Sequence, residues 1–367
     1  MSASRTIAFF GSSLVSSYWN GAATYYRGLI RSLHERGHRV TFYEPDAFER
    51  QSHRDLPEVP WARSVVYPAT ETAAREAVAS ARGADVIVKA SGVGVHDRLL
   101  EAAVLELQSP GTLVGFWDVD APATLDRVQS HPEDPFRALI PRYDFIFTYG
   151  GGDPVVGAYR ALGARFCAPI YNALDPTTHH PVPRDDRFVC DLAFLGNRLP
   201  DREARVEEFF LRPASLLPGR RFLLGGSGWE GKSLPPNVKL LGHVPTTDHN
   251  ALNVTPLAVL NVSRESMARY GFSPATRVFE AAGAGGCLVT DAWEGIELFL
   301  APDREVLVAK DGAEVAALLE ALTPERARAL GQAARERILS EHTYAGRAAL
   351  VESHLTGLRA GLAEAPR

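Results

Sequence analysis

Two side chains on one short predicted helix have the types and spacing to bind a hydroxyl-rich anion. Arg277 and Glu280 are three residues apart in a segment predicted to be helical from about residue 275 to 283. That spacing puts both side chains on one helix face. A carboxylate offers acceptor lone pairs to two neighbouring hydroxyls at once, so Glu280 suits a vicinal diol. The alternative is that Glu280 caps the helix or only forms an ion pair with Arg277.

A second pair of basic residues follows a predicted strand over residues 189–195. The segment Gly196-Asn197-Arg198-Leu199-Pro200-Asp201-Arg202 leads into a charged helix. Arginine side chains at such a junction add donors to the backbone amides of a helix N-terminus, and this combination commonly holds a diphosphate. The alternative is a surface pair on a charged helix.

The elements that must position these residues form a parallel βαβ pattern. Apolar runs at residues 257–262 and 287–290 predict two buried strands, and the helix of Arg277 and Glu280 lies between them. Glycines after this helix mark its end. Ligands of open parallel sheets bind beyond the carboxyl ends of the strands, so we expect the site at that edge.

Three stretches of this region resemble a known family. They are Arg277 to Gly286 (RVFEAAGAGG), Val289-Thr290-Asp291 and Gly295-Ile296-Glu297. They are similar to the donor-sugar domain of GT-B glycosyltransferases, and most of all to the branch called CgeB-like, or spore maturation protein. The resemblance implies that Glu280 binds the ribose hydroxyls of a nucleotide sugar. The broader family-4 glycosyltransferases carry another glutamate about two helical turns before this one, and it contacts the donor sugar. In this sequence the stretch around Ser273 takes its place.

The resemblance also implies further donor contacts. The family's G-R…K segment, which binds the pyrophosphate, corresponds approximately to Arg198 and Arg202. The G-x-V loop, whose backbone pairs with the nucleobase edge, corresponds to His243 and Val244. With the adjoining loops, the predicted donor-binding residues are Gly196, Asn197, Arg198, Arg202, Gly226, Ser227, His243, Val244, Ser273, Arg277 and Glu280.

In the first half of the chain, a buried strand near residues 112–118 ends in Asp118 and Asp120 on alternate positions. One interpretation is a DxD metal site like that of GT-A glycosyltransferases, which the presence of a second complete domain disfavours. Another is a general base or acceptor-binding carboxylate held at the end of a rigid strand. The third is a turn in which Asp120 caps the helix that begins near Pro122. The W-D-V-D-x-P pattern again resembles the CgeB-like branch and supports a role for one of the two aspartates.

Three more loops at strand ends are candidates. His96 follows the strand over residues 85–89 and is predicted either to begin a helix or to act beside the aspartates as a catalytic residue. Small residues after the first strand, Ser12 and Ser13, would let backbone amides approach a phosphate or sugar. Gly151 and Gly152 precede a helix and suit the same purpose, although an ordinary tight turn explains these loops as well.

The length, charge and cysteine content of the chain limit its possible domain number, ligands and location. A chain of 367 residues is too long for one ordinary core and predicts two domains. A formal net charge of −5 argues against binding to a nucleic-acid backbone. The three cysteines are far apart and odd in number, without a disulfide framework or zinc spacing, which predicts a reducing, cytoplasmic location. Cys190 and Cys287 lie beside or inside apolar runs, which predicts buried free thiols. The start of the chain has no apolar segment long enough for a signal peptide or a membrane span.

We therefore expect an α/β protein with the GT-B fold, in which two Rossmann-like domains face a central cleft. Residues 1–170 form an acceptor domain, 171–187 a linker with an exposed His179-His180 pair, and 188–344 a nucleotide-sugar-binding domain. Residues 345–367 form a helix that crosses back to the first domain.

The expected function is a metal-independent glycosyltransferase that moves a sugar from a nucleotide-diphospho-sugar, such as a UDP-sugar, to a small-molecule, glycan or other hydroxyl-bearing acceptor. No cofactor and no metal ligands are expected, and the nucleotide sugar is a substrate. The alternatives are a nucleotide-sugar-binding regulatory protein and a nucleotide-sugar epimerase of the same fold.

Overall fold

The computed structural model describes residues 4–18 and 20–364, the last three of these by their backbone alone. These residues form two compact units. Unit 1 contains the described residues up to Tyr171 and those from Tyr344 on, and unit 2 is Asn172–Thr343. Residues 172–187, predicted as a linker, thus belong to unit 2. The outermost residues of the predicted spans 1–170 and 345–367 lie outside the described part.

Unit 1 is built on a parallel sheet with the strand order β3-β2-β1-β4-β5-β6-β7 among the described residues. Most of its strands are apolar runs, as expected for parallel strands that are buried on both faces. The strands are β1 (Thr6–Phe10), β2 (Arg39–Asp46), β3 (Arg63–Pro68), β4 (Val86–Ala90), β5 (Leu113–Asp118), β6 (Phe145–Thr148) and β7 (Cys167–Pro169).

Helices follow most of these strands, which is the βαβ pattern that the sequence predicts. They are α1 (Ala23–Glu35), α2 (Glu71–Ser80), α3 (Asp97–Ala103), α4 (Ala121–Ser130), α5 (Pro135–Leu139) and α6 (Gly152–Ala161). The helix α4 begins with a proline in its first turn, where the missing amide proton costs nothing.

Unit 2 carries a second parallel sheet, with the order β10-β9-β8-β11-β12-β13 in the described chain. The strands are β8 (Leu192–Leu195), β9 (Phe222–Gly225), β10 (Val238–Gly242), β11 (Ala258–Asn261), β12 (Leu288–Asp291) and β13 (Leu307–Ala309). The chain moves outward to one side of β8 and then returns to start the other side at β11. The switch point between β8 and β11 is therefore where a ligand of an open parallel sheet is expected.

The helices of unit 2 connect these strands. They are α7 (Glu203–Val206), α8 (Arg212–Leu216), α9 (His249–Val254), α10 (Glu265–Tyr270), α11 (Thr276–Ala284), α12 (Gly312–Ala321) and α13 (Pro324–Glu341). A π-helical turn, Glu207–Leu211, joins α7 to α8. Side chains alternate across β8: Leu192 and Phe194 pack into one apolar cluster, and Ala193 packs into another.

The last helix, α14 (Tyr344–Glu364), belongs to unit 1 and packs against α1. The two helices approach closely at Gly28, where a Cβ atom would lie only 2.2 Å from the ring of Tyr344. Any larger residue at position 28 would push α14 away from α1.

All three cysteines, Cys167, Cys190 and Cys287, are buried free thiols, as the sequence predicts for Cys190 and Cys287. Burial raises the pKa of each thiol to about 12, so these side chains are not reactive thiolates. Across the described residues, none of the helices has the length and apolar character required to cross a lipid bilayer.

Candidate functional site

The loops after β8 and β9 interlock at the carboxyl edge of the unit 2 sheet. Gly196 N donates to Gly225 O at 3.0 Å, and Arg198 N donates to Ser227 O at 3.0 Å. The side chain of Asn197 accepts a hydrogen bond from Ser227 N at 3.0 Å. Four predicted donor-binding residues, Gly196, Asn197, Gly226 and Ser227, are thus brought together in two loops that hold each other.

Gly226 is required where these loops meet. Its φ of +113° lies in the region that favours glycine, and a Cβ atom at this position would lie 2.3 Å from Gly196 O. Trp229 closes the same loop by donating its indole N–H to Gly196 O at 2.8 Å. The loop shape therefore depends on a residue without a side chain.

Arg198 and Arg202 differ in their partners. Arg198 Nη2 lies 2.7 Å from Glu203 Oε1, and Lys232 Nζ binds the same oxygen at 2.6 Å. Hydrogen bonds from Arg198 and then Lys232 lower the pKa of Glu203 to about 2, so its negative charge is held beside Arg198. The positive charge of Arg198 is compensated within the protein.

The guanidinium of Arg202 makes no hydrogen bond or ion pair with any described residue, and its Nε is enclosed without a partner. Burial, and then the neighbouring charge of Arg264, lower the pKa of Arg202. A Cβ atom built on Gly196 would lie 3.0 Å from Arg202 Nη1, which places this cation against the loop after β8. Asp201 and Asp291 act on Arg202 only electrostatically, without a direct ion pair, and a half-buried cation of this kind at a strand end is suited to an anionic ligand.

The helix α11 presents a second electropositive feature. Its N-cap residue, Ala275, provides no side-chain cap, and its first turn contains no acidic residue. Val278 N donates to Ala275 O at 3.1 Å, so the amides of Thr276 and Arg277 and the helix dipole remain available to an anion. Arg277, in that first turn, donates to Asn253 Oδ1 at 2.9 Å, and its enclosed Nε has no partner.

Glu280 follows one turn later on the same helix face, as the sequence predicts. Arg277 Nη1 lies 3.6 Å from Glu280 Oε2, and His179 Nε2 lies 4.0 Å from Glu280 Oε1. Both distances exceed an ordinary hydrogen bond, so the pairing with Arg277 that the sequence allows is loose. Burial alone would raise the pKa of Glu280, but electrostatic interactions with Arg277 first, and then with His179 and His249, and a hydrogen bond from the Thr276 side chain lower it below its ordinary value. The carboxylate is therefore ionised near neutral pH.

His179 corrects an expectation. The His179-His180 pair was expected to be exposed in a linker; His180 is exposed, but His179 is 7% exposed and faces Glu280. Burial is the first cause of its lowered pKa, since a charged imidazole would lose its hydration there. The segment that carries it is part of unit 2 and packs into the site.

The structure also describes three other residues that are predicted to bind the donor, which are Ser273, His243 and Val244. Ser273 is buried and donates its hydroxyl to Gly271 O at 2.9 Å, which stabilises the turn before α11. His243 is exposed. The side chain of Val244 is buried, and its carbonyl oxygen lies 3.3 Å from His249 Nε2.

In unit 1, Asp118 and Asp120 are separated in environment. Asp118 is 0% exposed and accepts hydrogen bonds from the Tyr159 hydroxyl, from Thr124 Oγ1 at 3.0 Å and from Asp120 N at 3.1 Å. Burial raises the pKa of Asp118. Its enclosed carboxylate supports the end of β5 instead of facing an acceptor, which argues against Asp118 as the base. Asp120 occupies the N-cap position of α4 without making a side-chain capping hydrogen bond, and it is half-buried.

His96 is the residue before α3 and has a φ of +54°. Its Nε2 lies 3.2 Å from Ala69 O, and the ring is half-buried. This position agrees with a helix-start residue, and nothing in its contacts gives it a catalytic partner.

The remaining unit 1 candidates are engaged within their own loops. Ser12 Oγ donates to Asn20 Oδ1 at 2.8 Å, and Ser13 Oγ donates to buried Glu44 at 3.1 Å. Gly151 and Gly152 both have positive φ and start α6, where a Cβ atom on Gly151 would lie 2.1 Å from Val155. These contacts agree with the tight-turn alternative.

Comparisons with known proteins cover both units. Residues 202–353 match the family model described as "Glycosyl transferase-like". Sucrose-phosphate synthase from Thermosynechococcus elongatus is similar with a TM-score of 0.70 at 13% identity, over 97% of this chain and 100% of that one. Anabaena Alr3699/HepE in complex with UDP-glucose is similar with a TM-score of 0.67 at 14% identity, over 96% and 100%. AviGT4, a glycosyltransferase involved in avilamycin A biosynthesis, gives 0.58 at 18% identity, over 97% and 98%.

The chain has the GT-B fold. The predicted fold class of two Rossmann-like α/β domains is confirmed. The family match and the GT-B fold together support a glycosyltransferase. Among curated protein sequences, none matches the chain.

Within this GT-B fold, sequence reasoning missed three residues around Glu280: His179, His249 and Asn253. Asn253 binds Arg277, and the two histidines lie near the carboxylate. The only signal for His179 was the paired histidines, and no motif marked His249 or Asn253. Their positions depend on how distant segments pack.

Proposed function

We propose that this chain is a glycosyltransferase that binds a nucleotide-diphospho-sugar on unit 2 and transfers the sugar to a hydroxyl-bearing acceptor. The observation that carries the proposal is the combination of an ionised Glu280 without a short ion pair, the cation of Arg202 without a direct ion pair, and the start of α11 without a side-chain cap. Glu280 can bind a diol such as the ribose of a nucleotide. Arg202 and the first turn of α11 can bind anions such as its phosphates.

Glu280 is assigned to the ribose. Its two oxygens lie 3.6 and 4.0 Å from the nearest cationic side chains, so ribose hydroxyls would not have to displace a short ion pair. An ionised carboxylate binds hydroxyl donors more strongly than a neutral acid does. The neighbouring arginine and histidines lower the pKa and keep the group ionised.

The diphosphate is assigned to Arg202, Arg277 and the first turn of α11. Arg202 has no competing acid partner, whereas Arg198 is already paired with Glu203 at 2.7 Å. We therefore give Arg202 the larger share of phosphate binding and Arg198 the role of shaping the loop. Positive groups aimed at a leaving diphosphate stabilise the charge that develops as the glycosidic bond breaks.

The proposal also includes the type of donor, the absence of a catalytic metal and the identity of the catalytic base. Anabaena Alr3699/HepE was crystallised with UDP-glucose, which makes UDP-sugars the first donors to test. Transfer is proposed to work without a catalytic metal, because arginines and helix amides would neutralise the charge of the departing diphosphate. Asp120 is the better placed of the two aspartates to act as a base, since Asp118 is enclosed.

The test combines donor binding with product detection. Calorimetry with UDP-, GDP-, dTDP- and ADP-sugars identifies the donor, and release of the nucleoside diphosphate reports transfer or hydrolysis. Glu280→Gln keeps the size of the side chain and removes its charge, so donor affinity should fall about ten- to a hundredfold. Glu320→Gln, which changes an exposed glutamate on α12 of the same unit, is the matched control. Unchanged donor affinity in Glu280→Gln would refute the assignment.

The same experiment separates the two alternatives. A regulatory protein would bind the nucleotide sugar and release no nucleoside diphosphate with any acceptor. An epimerase would interconvert free donor sugars in the absence of acceptor. Either result would remove the transferase proposal while leaving the donor site in place.

A further inference from the structure

Three groups that can ligate a metal ion come together beside the donor site. His179, His249 and Glu280 each offer one ligand atom, and these atoms lie within 4.8 Å of one another. The three residues come from separate parts of unit 2: the segment before β8, the start of α9 and the middle of α11. Their convergence is therefore a product of the fold and not of local sequence.

Both imidazole rings are held through one nitrogen. Thr178 Oγ1 lies 3.0 Å from His179 Nδ1, and a hydroxyl can serve either tautomer, so Nε2 is left for a ligand. His249 Nε2 lies 3.3 Å from Val244 O, which can only accept, so the proton resides on Nε2 and the lone pair on Nδ1. Metal-binding histidines are typically oriented in this way, by a hydrogen bond at the nitrogen that does not bind the metal.

The charges around the cluster favour one class of ion. Glu280 contributes one negative charge, which the Arg277 guanidinium 3.6 Å away offsets, and the two histidines contribute imidazole nitrogens. A set with little net negative charge and two imidazoles is poor for Mg²⁺ or Ca²⁺, which require several oxygen ligands. It suits Zn²⁺ and similar ions, which bind imidazole nitrogen well.

We propose that His179, His249 and Glu280 form a Zn²⁺-binding site and that an ion bound there excludes the donor nucleotide. Tetrahedral zinc with bonds of about 2.0–2.1 Å requires ligand atoms about 3.4 Å apart, so the side chains must close by roughly 1 Å. The exclusion rests on the proposed function, because Glu280 cannot bind the ion and the ribose hydroxyls at the same time. The ion is an inhibitor in this proposal and takes no part in transfer.

The first experiment tests Zn²⁺ binding in the absence of any nucleotide. Zn²⁺ is titrated into chelator-treated full-length protein by calorimetry, and Co²⁺ is titrated in parallel to follow the visible absorption of a tetrahedral site. One ion should bind, and His179→Gln and His249→Gln should each weaken binding by at least about tenfold. His180→Gln, which changes the exposed neighbouring histidine, is the matched control. Equal Zn²⁺ affinity in all three variants would overturn the proposal.

A second experiment adds the nucleotide and tests whether Zn²⁺ and nucleotide exclude each other. Saturating UDP or UDP-glucose should weaken Zn²⁺ binding to the wild-type protein at least tenfold, and Zn²⁺ should weaken nucleotide binding by the same factor. Simultaneous binding of both ligands would overturn the exclusion. If no nucleotide binds at all, the proposed function fails while the metal titration still decides whether the site exists. Circular dichroism confirms that each variant is folded, and Glu280→Gln provides a third independent loss of a ligand.

Discussion

Arg205 Nη2 lies 2.6 Å from Asp291 Oδ2, and this ion pair connects α7 to the end of β12. Asp291 is 0% exposed, and it also accepts hydrogen bonds from Ser263 N at 3.1 Å and Ser263 Oγ at 3.2 Å. Burial raises the pKa of Asp291, and Arg205 opposes that rise. Arg202, three residues before Arg205, has no such partner. The same helical turn therefore carries one arginine that stabilises the fold and one that is available for a ligand.

Substitution of these two arginines should have opposite effects. Arg202→Gln should weaken donor binding about ten- to a hundredfold, because a charge-assisted contact to phosphate is lost. It should leave the free energy of unfolding unchanged or slightly higher, because an enclosed charge without a partner is removed. Calorimetry with the nucleotide sugar and urea unfolding measure the two quantities.

The control for that experiment is Arg205→Gln, which leaves Asp291 buried without its cation. The free energy of unfolding should fall by about 3–5 kcal/mol. A variant Arg202→Gln that loses as much stability as Arg205→Gln would show that Arg202 is a structural residue after all.

Gly226 should tolerate no side chain. Gly226→Ala puts a Cβ atom 2.3 Å from Gly196 O at a φ of +113°, so the loops after β8 and β9 must separate. The cost should be about 1–3 kcal/mol in the free energy of unfolding, together with weaker donor binding. Gly219→Ala is the control, because a Cβ atom there meets open space. Equal stability of the two variants, with equal donor affinity, would contradict the role given to this loop.

The strands and helices of both units could be predicted from local patterns, whereas the partners of the charged side chains could not. Apolar runs around β5, β8, β11 and β12 mark parallel strands because both faces of such strands are buried. The helix α11 is recognisable because glycines end it and because Arg277 and Glu280 share a face. These are signals within a few residues of sequence.

The partners and the burial of the charged side chains depend on contacts between segments that are far apart in the sequence. Arg198 and Arg202 look equivalent in the sequence, but within the described chain only Arg198 forms an ion pair, with Glu203, which Lys232 also binds. His179 resembles an exposed linker residue because the segment around it has no apolar periodicity. Its burial depends on contact with α11, about a hundred residues further along the chain, which no local rule describes. The burial of Asp118 beneath Tyr159 has the same origin.

The two aspartates after β5 can be separated by stability and turnover. Asp118→Asn should lower the free energy of unfolding by about 1–3 kcal/mol, because the amide leaves buried hydrogen-bond groups of Tyr159 and Thr124 poorly satisfied. Asp120→Asn, at a half-buried position, should cost less stability. Urea unfolding and nucleoside diphosphate release measure both effects. A fully stable Asp118→Asn variant with a large loss of kcat would restore Asp118 as the base.

A pH-dependent contribution to stability should come from His38, which is 1% exposed. Burial lowers the pKa of His38, Glu352 on α14 at 3.4 Å opposes this change, and Arg5 and Arg36 add to it. The unfolded chain, with an ordinary pKa of about 6.5, therefore binds a proton that the folded protein does not. The stabilisation is fully present above about pH 6.5 and is lost as the pH falls toward the lowered pKa of the folded state.

In His38→Gln, the free energy of unfolding should therefore fall less steeply than in the wild-type protein below about pH 6.5, by at most about 1.4 kcal/mol per pH unit. Hydrogen exchange of peptides from α1 and α14, which pack together in unit 1, reports this unit without a contribution from unit 2. The exposed His131 provides the control variant His131→Gln. Because other buried histidines also titrate, the difference between wild type and variant is the quantity to compare. If His38→Gln and wild type lose protection in parallel as the pH falls, the burial of an uncharged His38 does not contribute to acid sensitivity.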